Sequence, residues 1–185
     1  MTRRATHWLV ALAACVAMIA LNAFTGEFPH EAVRVVDVGR PGRLYDSTVT
    51  VNSWRIGQVL YNDDQFVGRS AVIFLAVNVT VATDGTERST SWEVGGTNGS
   101  RTFAPRDRVS VPQPGFRITQ DVVFELSAHD LPGFTATFLD RPPIYAFDPQ
   151  VDVPLGISEA TANETFEASQ YDTVKAVSGR PEVIR

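Results

Sequence analysis

Few residues in this sequence combine the chemical type and the spacing that chemistry needs. His129 stands beside Asp130, and a carboxylate next to an imidazole can orient a general base. No nucleophile is recognisable as a partner for the pair, so catalysis there is not expected. Asn62-Asp63-Asp64, with Asp46 as a further donor, could offer oxygens to Ca2+, but the spacing matches no calcium loop. That stretch reads as a solvated turn. Arg101, Arg106 and Arg108, with Arg117 not far in sequence, form a local basic cluster that Asp107 interrupts. The cluster reads first as a solvated rim. Its alternative is an interaction site for anionic lipid head groups or an envelope polymer. The G-x-S-x-G, H-E-x-x-H, P-loop and G-x-G-x-x-G motifs are absent. The sequence therefore names no catalytic residue, no metal ligand, no cofactor and no small-molecule substrate.

Composition narrows the classes further. The chain has 185 residues, 44% hydrophobic and 20% charged, which suits one folded domain with appendages. The net charge of −5 argues against nucleic acid as the main partner, because binding phosphates needs a basic surface. The single cysteine, Cys15, lies in an N-terminal apolar run. The rest of the chain thus has no disulfide, no CxxC metal knuckle and no catalytic thiol available, and core packing must stabilise it.

Residues 8–24, WLVALAACVAMIALNAF, are apolar apart from Asn22 and follow Arg3 and Arg4. A basic segment before an apolar one places the arginines in the cytoplasm and the remainder outside. Three readings stand. A retained transmembrane anchor would span roughly 25 Å at 1.5 Å per residue, near the low end for a bilayer core. A cleaved signal would end at Leu21-Asn22-Ala23, with Leu large for that position. A lipoprotein signal would use Leu12-Ala13-Ala14-Cys15, with lipidation of Cys15, although the chain stays apolar after it. All three put the domain outside the cytoplasmic membrane, facing the periplasm or cell wall.

The elements that would position the polar residues are strands. Ser70–Ala82, SAVIFLAVNVTVA, is the longest apolar run after residue 24 and is rich in β-branched residues. Ile73, Leu75, Val77, Val79 and Val81 share one face; Val72, Phe74, Ala76, Asn78 and Thr80 share the other. The run is thus apolar on both faces in its first half and on one in its second. Thr48–Leu60 alternates at its start, and Gly57 is expected to mark a bulge. Arg117–Ser127 places Ile118, Val122, Phe124 and Leu126 inward. Weaker strands are expected at Val33–Val38, Ser89–Val94, Arg101–Phe103, Phe134–Leu139 and Ile144–Val153. Turns are expected at Gly39–Gly42, Asp84-Gly85, Asn98-Gly99 and Leu131–Gly133, and a loop at Tyr61–Gly68. Ser158 is a candidate N-cap for a short helix ending at Ser169. The chain after it reads as a loose tail or a segment that docks on a partner.

These elements divide the chain into a membrane anchor or signal segment at 1–24, a linker and first strand at 25–47, a sandwich at 48–157 and a tail at 158–185. Short strands with turn signals and almost no helical periodicity indicate an all-β sandwich.

The region from Thr48 to Leu139 resembles the extracytoplasmic immunoglobulin-like domains of bacterial membrane-anchored proteins of the DUF4352 or telokin-like type. The likeness rests on the apolar strand after a glycine, Gly68–Val81, and on the turn Asn98-Gly99-Ser100-Arg101-Thr102-Phe103. It rests also on Pro114-Gly115 followed by Val123-Phe124-Glu125-Leu126. Ala82 and Ser127 depart from the pattern, where such proteins usually have Asn and Pro. The resemblance implies an immunoglobulin-like antiparallel β-sandwich with an N-terminal transmembrane helix and a C-terminal extension, and no catalytic role. The Arg-rich composition is similar to that of actinobacterial envelope proteins. The expectation is a non-enzymatic, membrane-anchored interaction domain serving a membrane protein complex of the cell envelope, such as a transporter. The alternative is a lipid- or glycan-binding module with a concave patch lined by Trp54, Trp92 or Tyr145.

Overall fold

Val77, Val79 and Val81 have no solvent exposure, nor do Ile73 and Leu75, and the strand that carries them organises both sheets. The computed structural model of the protein describes residues 31–84, 92–140, 148–169 and 172–184. Residues 8–24, Cys15, Gly85 and Tyr145 lie outside the described residues, as do parts of the strands expected at Ser89–Val94 and Ile144–Val153.

The strands are β1 (Glu31–Val35), β2 (Pro41–Leu44), β3 (Ser47–Asn62), β4 (Gln65–Thr83), β5 (Trp92–Asn98), β6 (Arg101–Phe103), β7 (Phe116–Leu126), β8 (Thr135–Asp140), β9 (Asp148–Pro154), β10 (Thr173–Ala176) and β11 (Pro181–Val183). One helix, α1 (Glu159–Ser169), lies between β9 and β10, and a 3-10 turn at Ala128–Asp130 links β7 to β8. Among the described residues no helix is long and apolar enough to cross a membrane.

One sheet has the order β1-β9-β8-β5-β6 and the other β10-β3-β4-β7-β11, with β2 also on β3. Their inner faces share one core. Val51, Val77 and Phe124 from the second sheet meet Phe138, Val151 and Val153 from the first. Phe124 and Phe134 pack edge to face with centroids 5.3 Å apart. The described residues are therefore all-β, two facing sheets with one short helix.

Local signals place several elements as expected. Asn98 pairs with Arg101 across the two-residue turn Gly99-Ser100. Ser158 caps α1, its Oγ accepting the Thr161 N–H at 3.1 Å. The β3–β4 register breaks at Gly57, although the surplus residues lie on β4: Gly57 faces Phe74 while Val59 faces Arg69.

Three stretches differ from expectation. Pro41 and Gly42 begin a strand rather than complete a turn, because a Cβ at Gly42 would lie 2.4 Å from Val151 and only the bare backbone lets β2 pack there. Tyr61–Gly68 is a hairpin rather than a loop. Asp63 and Asp64 have φ of 46° and 65°, the two positive values that a type I′ turn needs and that Asp tolerates. The C-terminal tail docks on the chain's own sheet. β10 runs parallel to β3 with Thr173 beside Val59, the Val177 carbonyl accepts the Asp121 N–H at 3.0 Å, and β11 runs antiparallel to β7. Val174 and Ala176 of the tail join Leu60, Phe74, Ala76 and Val123 in a second apolar cluster. This cluster is why the first half of β4 is apolar on both faces.

Candidate interaction surface

The residues singled out by type are drawn into the fold rather than gathered into one site. Asp130 is 4% exposed. Its Oδ1 accepts the Arg101 guanidinium and its Oδ2 the Ser127 hydroxyl at 2.8 Å. Both oxygens are thus engaged away from His129, which is exposed and makes no hydrogen bond or ion pair among the described residues. The Asn98 amide donates to the carbonyls of Asp130 at 2.9 Å and Pro132 at 2.8 Å. This network ties the β5–β6 hairpin to the turn between β7 and β8 and orients no base.

Arg106 lies 2.9 Å from Glu125 and places its guanidinium over the Phe74 ring. Glu125 in turn accepts the Ser70 hydroxyl. Arg101 and Arg106 thus each have a carboxylate of their own, whereas Arg108 is exposed and forms no ion pair among the described residues. Two of the three charges in the expected cluster are engaged within the protein.

The acidic stretch does not assemble with Asp46. Asp46 precedes β3 and Asp63 follows it, at opposite ends of a 16-residue strand, and no hydrogen bond or ion pair joins the two among the described residues. Asp63 instead holds the tail, accepting the Ser178 N–H at 3.1 Å. The Ser178 Oγ also lies 3.1 Å from Asn62 Oδ1, so its one proton is shared between that amide oxygen and the Asp63 carboxylate. Hydrogen bonding from the Ser178 hydroxyl first and its N–H second, with the Arg180 charge, holds the Asp63 carboxyl below the usual carboxylate range.

Trp54 and Trp92 both pack against the main core, and Trp54 Nε1 donates to the Leu155 carbonyl at 3.1 Å. Both rings are part-buried against that core, and Tyr145, the third residue of the expected patch, lies outside the described residues. A shallow depression of about 180 Å³ does exist on the outer face of the first sheet. Gly95, Thr97, Thr102, Thr137 and Gln150 line it, without an aromatic platform other than Phe103 at its side.

The sequence reading missed the far end of the β3–β4 hairpin. β7 ends at Leu126, opposite Ile73, so β4 from Gln65 to Val72 has no strand partner on its second edge among the described residues. Three strands, β10, β3 and β4, continue beyond as an arm. Phe66 is 63% exposed, Val67 45% and Val72 38%. The Phe66 ring meets Tyr61 edge to face at 5.6 Å, and Lys175 lies 3.5 Å from Asp64 at the tip. The only signal that could have found the arm is Phe66-Val67 inside an otherwise polar stretch.

No family model and no curated protein matches the chain. Among solved structures it is similar to the crystal structure of the yjhA protein from Bacillus subtilis, with 13% sequence identity and a TM-score of 0.46 over 63% of this chain and 98% of that one.

Proposed function

We propose that this protein is a non-enzymatic interaction module of the bacterial cell envelope. Residues 8–24 hold it at the cytoplasmic membrane, and the domain faces the periplasm or cell wall as an accessory or scaffold subunit of a membrane protein complex. Within this reading the sandwich is of the immunoglobulin-like, DUF4352 or telokin-like type. Its facing sheets, antiparallel apart from β10 on β3 in the pairings described, and the residue patterns around Gly68–Val81 and Pro114–Leu126 support that finer class.

The observation that carries the reading is the β3–β4 arm. An aromatic ring 63% exposed beside a valine 45% exposed is a feature that folding alone does not call for, since burying both would stabilise the domain by about 1.5–3 kcal/mol each. Exposed aromatics of this kind anchor protein interfaces. Arg101, Asp130, Arg106 and Asp63, by contrast, are taken up by bonds within the fold.

The test is purification of the tagged full chain from membranes in mild detergent, beside Phe66→Ser. The wild type is expected to emerge in a complex that the variant loses while keeping its melting temperature. A wild-type chain recovered as a lone monomer overturns the reading. Protease added to intact spheroplasts should cut the domain; full protection would overturn its outward placement.

A further inference from the structure

We infer that the arm is a self-association surface, on which two copies of this chain pack face to face about a two-fold axis close to Phe66. This names the occupant of the surface proposed above and rests on that proposal. The arm's free edge is not the contact. One surplus residue, Val67, interrupts the β4 register between Phe66 and Gly68, and more lie between Arg69 and Phe74. Bulges of this kind spoil a strand edge as a template for a further strand. A partner is therefore met by side chains on the arm's face.

That face has a charge order. Cross-strand partners share a face, so one row across β10, β3 and β4 holds Thr173, Val59 and Arg69. The next row holds Lys175, Tyr61 and Phe66, about 7 Å further along. The tip beyond carries Asp63 and Asp64, both exposed. On the β4 side of the arm the order is base (Arg69), aromatic (Phe66), acid (the tip), with Lys175 at the far, β10 end of the aromatic row. Such an order is self-complementary under a two-fold rotation, because every contact of an isologous interface occurs twice with the roles exchanged. With Phe66 of the two copies in contact, the acidic tip of each arm reaches Arg69 of the other. Inside one chain Arg69 meets only Gln58, at 3.5 Å, among the described residues. Lys175 and Asp64 are 70% and 87% exposed, a pairing that water screens and that rearranges at little cost.

The chain's single cysteine, Cys15, makes the test clean. In full-length protein carrying Cys15→Ser and held in detergent, Val67→Cys should form a disulfide-linked dimer under mild oxidation. Thr119→Cys, exposed on the outer face of the second sheet, should not. Adding Arg69→Asp to Val67→Cys should cut the cross-linked fraction about tenfold, because a repulsive pair then occurs twice. Light scattering should report a dimer that Arg69→Asp converts to monomer. Absence of the Val67→Cys cross-link, or a monomeric wild type, overturns the inference. If the cross-link fails while the wild type still emerges in a membrane complex that Phe66→Ser loses, the arm binds a different chain and the functional proposal stands. If that complex is also missing, both fall.

Discussion

Arg55 and Asp121 stand side by side on the outer face of the second sheet, Nη2 to Oδ2 at 2.6 Å, and the C-terminal tail is fastened to both. The Asp121 carboxylate also accepts the Val177 N–H at 2.8 Å and the Asn78 amide at 3.0 Å, while Arg55 donates to the Lys175 carbonyl. The Asp121 side chain is fully enclosed and that of Arg55 is 38% exposed. An enclosed carboxylate is tolerable only when its lone pairs are satisfied, and here strand and tail together satisfy them.

Asp121→Ala therefore removes the shared acceptor of Arg55, Asn78 and Val177. The expected loss is about 2–4 kcal/mol, below the full cost of orphaning a buried charge because Arg55 still reaches water. Denaturant unfolding measures it. Amide exchange should rise more across residues 173–183 than within β4; uniform loss of protection would mean the tail is not held through Asp121.

The tail also depends on a missing side chain. A Cβ at Gly57 would sit 2.6 Å from the Asp172 carbonyl oxygen, a backbone atom with little room to yield. Gly57→Ala should cost about 1–3 kcal/mol and loosen the same residues. Unchanged exchange at 173–176 would contradict this.

In the core, a Cβ at Gly96 would lie 2.1 Å from the Phe134 ring. Gly96→Ala should lower stability by about 1–3 kcal/mol through overpacking. Phe134→Leu should recover part of that loss when combined with Gly96→Ala, while destabilising the wild type on its own. A cycle of thermal melts with strictly additive losses would show that the two positions do not couple.

Acid should weaken the clasp between the hairpin tip and the tail. Asp63 has its carboxyl depressed in the folded protein by Ser178. Its contribution is thus fully present above the unfolded carboxylate value and is lost as pH falls through the folded value. NMR titration should place the Asp63 midpoint below the usual carboxylate range. Ser178→Ala should raise it toward the ordinary range, and an unmoved midpoint would exclude the Ser178 hydroxyl as the cause.

Arg101→Ser leaves the buried Asp130 carboxylate with Ser127 as its remaining side-chain donor. The cost should be about 1–2 kcal/mol, limited because the Arg101 side chain is 64% exposed. Arg108→Ser should stay within about 0.5 kcal/mol of wild type. Equal losses in melting would show that Arg101 is no more structural than Arg108.

How much of this was legible depends on the range of the interaction. The alternation of Ile73, Leu75, Val77, Val79 and Val81, the Asn98-Gly99 turn and the Ser158 cap are written within a few residues of one another. Strand, turn and helix start follow from side-chain period and local hydrogen bonding. The sequence by itself thus determined, for the described residues, an all-β fold with a deeply buried central strand and a short helix after Ser158. It also held the arm's two clues, Phe66 and Val67, without a way to rank them above an ordinary loop.

Tertiary structure alone decided the rest. Arg55 meets Asp121 across 66 positions and Lys175 across 120, and no local pattern encodes a pairing at that distance. The same holds for Arg101 with Asp130, which turns a suspected surface charge into an internal latch. It holds equally for β10 on β3, which turns a polar tail into part of the sheet. The period of a strand is a property of its own residues. Which edge it finds, and which charge it covers, is settled by the packing of the whole domain.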